Sequence, residues 1–143
     1  MLRAFAVSAL VSDAIKLATA RERPDVHFGT ADPSTIGANK SFVSGHTSGV
    51  FSLVFALARV YADRNDPHTR WVWMAGLPLA AYTGYLRIAA DKHYATDVLT
   101  GAAIGGAIGW TTPGLWKHEV GGAGAPEAAL AVGAGTLTFR WSW

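Results

Sequence analysis

A chain of 143 residues has room for one domain around one hydrophobic core. Half of it is apolar, 15% is charged and the mean hydropathy is +0.21, which excludes intrinsic disorder. Twelve basic against ten acidic residues leave a formal +2, too little for a nucleic-acid surface, and the absence of cysteine excludes disulfide scaffolds, zinc ribbons and thiol catalysis.

The pattern predicts an all-α fold, a helical bundle of about four to five helices with a short C-terminal β-hairpin or irregular tail. Residues 2–20 read as the first helix, apolar with scattered polar positions. Arg3 ahead of an apolar run also has the outline of a signal peptide, but Lys16 belongs to a motif that cleavage would discard. Pro24 is expected to stop this helix and to hold Arg23 extended. Residues 25–42 have the composition of a long loop, and long loops in compact domains are more often functional than not.

A second helix is predicted over 47–62, closed by the turn 63–67, and a third over 69–89, kinked at Pro78. The fourth is expected to begin near Asp97, a candidate cap. It continues through Gly101, Gly105 and Gly109, whose four-residue spacing leaves one face nearly bare for close helix approach. Ten of the sixteen glycines follow residue 100, and helical periodicity fades after Pro113. Residues 121–126 are expected to form a flexible break, and 128–132 with 136–141 alternate like a hairpin. The resulting division is a helical domain over 1–116 and a Gly-rich linker and tail over 117–143.

Three islands concentrate reactive side chains. Lys16 and Arg23 lie seven residues apart, so two cations can project from one helical face. Ser44-Gly45-His46 stands where the loop meets a helix, and such an N-terminus presents backbone N–H groups to an anion. Arg87 precedes His93 and Asp97, whose four-residue spacing lets a carboxylate hold one imidazole nitrogen and leave the other free. Each island alone is also an ordinary structural feature: a dipole-complementing cation, a helix start, a surface pair. Together, three cations and amide donors suit a tetrahedral oxyanion, and two histidines supply a nucleophile and an acid.

Lysine, six residues, Arg-Pro; then Ser-Gly-His; then Arg, five residues, His, three residues, Asp: this order resembles the three-part signature of the type 2 phosphatidic acid phosphatase (PAP2) superfamily. That superfamily also includes bacterial nonspecific acid phosphatases and vanadium-dependent haloperoxidases. The resemblance runs from Lys16 to about Trp110. Val43 stands where relatives commonly have proline, and Leu86 where they commonly have serine. Neither departure removes a charge or a histidine.

The resemblance implies a metal-independent phosphatase acting on a phosphomonoester or pyrophosphate, lipid-borne in type, through a phosphohistidine. His93 would be the nucleophile, Asp97 would orient its ring and His46 would serve as acid and then base. Lys16, Arg23, Ser44, Gly45 and Arg87 would bind the phosphate. No cofactor is implied, although vanadate could occupy the same site, and a zinc site from His46, His93 and Asp97 is disfavoured by the three surrounding cations. The alternatives are a vanadium haloperoxidase-like enzyme and a truncated, non-catalytic remnant of the bundle.

The implied partner is a phosphate-bearing substrate, with no nucleic acid and an open oligomeric state. The implied location is the periplasmic face of the bacterial cell envelope, integral or soluble. Family members usually carry further helices ahead of the first motif, so the chain is expected to be a fragment or a minimal version. Among other polar residues, His27, His68 and His118 read as exposed, Asp91 and Lys92 as surface, and Asn39 and Lys40 as lining a substrate mouth. Trp71, Trp73, Trp110 and Trp116 lie near helix ends, as interfacial aromatics or core anchors.

Overall fold

The computed structural model describes residues 1–122, 129–133 and 136–140, with side chains described as far as residue 115. Its elements are α1 (Leu2–Thr19), α2 (Pro24–His27), α3 (Gly45–Ala62), α4 (Thr69–Ala89), α5 (Ala95–Gly122), β1 (Ala129–Gly133) and β2 (Thr136–Arg140). The fold is a helical bundle, as the sequence pattern predicts. Two compact units divide the chain, Met1–Pro113 and Gly114–Trp143. In the second, β1 pairs antiparallel with β2, Leu130 opposite Phe139 and Val132 opposite Leu137. The side chains of Trp116 and His118, and residues 123–128, 134–135 and 141–143, lie outside the described residues.

Several boundaries differ from expectation for identifiable reasons. α1 ends before the proline, because Ala20 turns left-handed (φ 44°, ψ 34°) and its N–H closes on the Lys16 carbonyl at 3.0 Å. A non-glycine residue held there costs roughly 1–3 kcal/mol, so the surrounding packing must enforce this cap. Arg23 is extended (φ −74°, ψ 152°), as Pro24 requires. The stretch expected to be loop from 25 starts instead with α2, because proline presets the φ of a first helical turn.

α4 spans the expected residues and continues through Pro78. α5 starts at Ala95, so Asp97 is its third residue and not its cap. The Asp97 carboxylate reaches back to accept the Tyr94 N–H at 3.0 Å, which is half of a capping box. α5 also runs through Pro113 to Gly122, where fading periodicity suggests an end. The Thr111 hydroxyl donates to the Ala107 carbonyl (2.8 Å) and the Thr112 hydroxyl to that of Ile108 (2.6 Å), tying side chains to the turn ahead of the proline, while the acceptor that loses its N–H partner to Pro113 is the Gly109 carbonyl four residues back.

Within the first unit α3 is central, and small residues bring its neighbours close. A Cβ at Gly101 would stand 2.7 Å from the Ser44 carbonyl oxygen, and one at Gly105 or Gly109 would collide with the carbonyl of Ser48 or Ser52. Glycines and serines at matching four-residue intervals therefore set α5 backbone against α3 backbone. On another face of α3, Ser8 of α1 shares a 2.7 Å hydrogen bond with Ser48, and Phe5 packs over Gly49. Trp73 of α4 meets Phe55 of α3 edge-on at 4.9 Å and lies 6.3 Å from Trp110 of α5, so these two tryptophans pin three helices. Trp71 is exposed.

The interior is accordingly built from alanine, serine and threonine, with Val26, Val43 and Val54 as its larger apolar members. Large apolar side chains point outward instead, among them Leu2, Leu10, Leu17, Met74, Leu79 and Leu99. Among the described residues, no helix is long and apolar enough to cross a membrane. Because overpacking a close backbone contact typically costs 1–3 kcal/mol or more, Gly105→Val is expected to destabilise the bundle by about 3 kcal/mol or beyond. Gly114→Ala, with nothing within 4 Å of the added methyl, is expected to be neutral or slightly stabilising; thermal unfolding of both variants checks the contrast.

Candidate active site

The two ends of the 20–44 connection and the α4–α5 turn deliver the three motif islands to the N-terminal end of α3. Lys16, in the last turn of α1, pairs with Asp13 at 2.9 Å and extends over the start of α3. A Cβ on Gly45 would stand 2.8 Å from its Nζ, so glycine here makes room for the ammonium. Arg23 is anchored through its N–H to the Ala38 carbonyl at 2.9 Å, and its guanidinium lies against Gly37. Arg87 closes α4. The Nε atoms of Arg23 and Arg87 are buried without a hydrogen-bond partner, and neither residue forms an ion pair among the described residues.

His46 is exposed in the first turn of α3. Its pKa is lowered by desolvation and then by the positive fields of Arg87, Lys16 and Arg23, so all three motif cations converge on this imidazole. A helix N-terminus is itself a partial positive charge, which makes the cluster unfavourable unless an anion joins it.

His93 is buried and its Nδ1 lies 2.7 Å from the Ser41 carbonyl oxygen. The carbonyl can only accept, so Nδ1 carries the proton and Nε2 keeps its lone pair. Burial pushes its pKa down to about 4; the Ser41 hydrogen bond and Asp97 oppose this, while Arg87 and Arg23 reinforce it. Arg87 and Arg23 thus act on both histidines, which places His46 and His93 at one electropositive centre.

Asp97 does not hold the His93 ring as expected. Its Oδ2 is 3.8 Å from Nδ1, beyond hydrogen-bond range, and its oxygens are committed elsewhere. Arg21 donates to Oδ1 at 2.6 Å, Ser41 Oγ to Oδ2 at 2.5 Å and the Tyr94 N–H to Oδ2 at 3.0 Å. Ser44 also departs from expectation: it is fully buried, and its hydroxyl is engaged with Thr47 Oγ1 at 2.9 Å. Its N–H donates to the Asp97 carbonyl at 3.0 Å, so Ser44 ties α3 to α5.

Sequence spacing missed Arg21 and Ser41. Arg21 bonds Asp97 and Thr96 and stacks over the Tyr94 ring at 4.1 Å, and a cation inside the first motif's spacer was the available signal. Ser41 offered none, because its contact with His93 is made by the backbone. Lys92 lies at the surface, as expected, and there forms a 2.5 Å ion pair with buried Asp25, whose pKa is lowered chiefly by that bond. The Asp25 N–H also donates to the Asp91 carbonyl at 3.0 Å, which locks α2 to the α4–α5 turn. His27 and His68 are exposed, as expected.

Two grooves meet at Lys16. One, of about 280 Å³, is lined by Pro33, Thr35, Gly37, Asn39 and Lys40, so the last two residues do border the site. The other, of about 260 Å³, follows α1 and α3 from His46, Gly45 and Ser12 to Ala9, Val50 and Phe5, polar at one end and apolar at the other. Among the described residues no three His, Cys, Asp or Glu side chains gather as metal ligands.

The depressed His93 pKa has a definite sign. Between about pH 6.5 and about pH 4 the unfolded chain binds a proton that the folded site refuses, so stability is expected to fall as pH drops through this window. Thermal unfolding of wild type and His93→Gln across that range checks it: the variant should lose the corresponding part of the slope.

The family model of the PAP2 superfamily matches residues 1–119. Lipid A 1-phosphatase of Porphyromonas gingivalis is 36% identical over 119 residues, covering 78% of this chain and 26% of that protein. Lipid A 4'-phosphatase of the same organism is 29% identical over 109 residues, covering 74% and 44% respectively. Lipid phosphate phosphatase 1 of Arabidopsis thaliana is 28% identical over 130 residues, covering 73% and 40%. The chain spans less than half the length of these curated relatives. No solved structure matches it. With the three motifs gathered at one centre and the family model matching most of its length, the chain belongs to the PAP2 superfamily.

Proposed function

We propose that the chain is the catalytic core of a phosphoric ester hydrolase that removes a phosphate or pyrophosphate group from a lipid. The observation that carries this reading is the convergence of Lys16, Arg23 and Arg87 on His46 at a helix N-terminus. Three like charges with two buried, unpartnered guanidinium nitrogens suit an oxyanion with several acceptor oxygens.

In the proposed reaction the three cations hold the phosphoryl oxygens, joined by the Gly45 N–H. His93 Nε2 attacks phosphorus in line as the ester P–O bond breaks, and the departing oxygen takes a proton from His46. A phosphate dianion offsets the cations that lower the His46 pKa, which favours the protonated imidazole this step requires. Water then attacks the phosphohistidine as His46 removes its proton, releasing inorganic phosphate and restoring Nε2. No metal takes part in this scheme.

The lipid assignment is supported by the groove along α1 and α3, whose polar end is His46 and Lys16 and whose other end is Phe5, Ala9 and Val50. An amphiphile with its phosphate at Lys16 can lay apolar chain along it. The three relatives, by name phosphatases of lipids, point the same way. We place the protein accordingly at the bacterial cell envelope, with the site facing the periplasm.

The test is phosphate release from a panel of lipid and soluble phosphates by wild type and His93→Ala. Loss of roughly 10³-fold or more in kcat for His93→Ala is expected, as for removal of a nucleophile. Inorganic phosphate or vanadate should raise the Tm of wild type through binding to the folded state. Retained hydrolysis in the variant, or bromide oxidation with vanadate in place of hydrolysis, would overturn the reading.

A further inference from the structure

We propose that Ser41 is the positioning residue for His93: its backbone carbonyl holds the Nδ1 proton, and Asp97, clamped by Arg21, acts on the imidazole through the Ser41 hydroxyl. A single N–H needs one acceptor, and the Ser41 oxygen at 2.7 Å meets hydrogen-bond geometry where Asp97 Oδ2 at 3.8 Å does not. Ser41 is fully buried and all three of its polar groups are committed. Its N–H donates to the Arg21 carbonyl at 2.9 Å, its hydroxyl to Asp97 at 2.5 Å and its carbonyl accepts from His93.

These contacts close a ring. The Arg21 backbone holds Ser41, the Arg21 guanidinium holds Asp97 at 2.6 Å, and Asp97 holds the Ser41 hydroxyl. The carbonyl that faces His93 is thereby fixed from both sides, and so is the direction of Nε2. A neutral carbonyl cannot take the Nδ1 proton, so the imidazole keeps it as Nε2 forms its bond to phosphorus. The positive charge that then develops is met by the carbonyl dipole and, at one remove, by the buried carboxylate.

The kinetic part of this inference rests on the phosphatase reading, so the primary test is independent of turnover. In protein labelled with ¹⁵N in histidine and ¹³C at backbone carbonyls and Asp Cγ, the His93 signals are identified by their loss in His93→Gln. A trans-hydrogen-bond coupling from His93 Nδ1 to the Ser41 carbonyl carbon is expected in wild type; a coupling to Asp97 Cγ instead overturns the proposal. Ser41→Ala keeps the carbonyl but loses the hydroxyl, and is expected to turn one His93 tautomer into a mixture. Asp97→Asn should act in the same direction, and the double variant should go no further than the worse single one. An unchanged His93 spectrum in Ser41→Ala, or independent additive effects, would reject the relay.

In turnover, Ser41→Ala is expected to lower kcat by about tenfold to a hundredfold, by analogy with the partners that orient metal-bound histidines, with KM nearly constant. A rise in KM at unchanged kcat would overturn the role. Wild type that shows the expected coupling but hydrolyses nothing would sink the phosphatase reading and leave the positioning role standing.

Discussion

The contact on which the rest depends is the backbone-to-backbone seam between α3 and α5. Gly101 lies against the Ser44 carbonyl, and one turn earlier the Asp97 carbonyl accepts the Ser44 N–H. This seam sets the second motif beside the third with no side chain between them. Any spacing wider than glycine allows would move His93 away from the cations at the start of α3. The same helix face that packs the bundle therefore sets the geometry of its chemistry.

Against that rigid seam the electrostatics are one-sided. Asp97 and Asp25, the buried carboxylates, are both spent on fixing backbone and loop, through Arg21 and Lys92. Arg23 and Arg87 face the histidines with no ion pair of their own among the described residues, and Asp25, whose carboxylate also feels Arg23, is bonded to Lys92. Acidic side chains hold the walls here and basic ones face the ligand. Such a division favours an anion, because every partner that could neutralise the site internally is already engaged.

Much of this was legible in the sequence. Residue type and spacing singled out Lys16, Arg23, His46, Arg87 and His93, and the fold gathers them because they sit at helix ends or in the α4–α5 turn. The bounds of α4 followed from a charge-free stretch between a turn and Arg87. The glycine ladder at 101, 105 and 109 announced a close helix pair, though not that serines 44, 48 and 52 would face it. The rest depended on three-dimensional detail that pattern does not carry. A carboxylate four residues from a histidine reads as its partner, yet here backbone geometry puts the Ser41 carbonyl closer. Ser44 looked like a ligand because of its neighbours, and burial decided otherwise. Pro113 reads as a stop, but α5 continues through it and forgoes only the one N–H that would have reached the Gly109 carbonyl.

The outward-pointing leucines carry a consequence for how such a protein can change. Its interior is made of residues with almost no size to give up, and its apolar bulk is carried outside on α1, α4 and α5. Coat and machinery are thus separable: Leu2, Leu10, Leu17 and Leu79 can exchange among apolar types as the surroundings demand. The serine–glycine interior that aims His93 would feel none of it. The bundle can adapt to a new medium by changing its coat, without re-solving its chemistry.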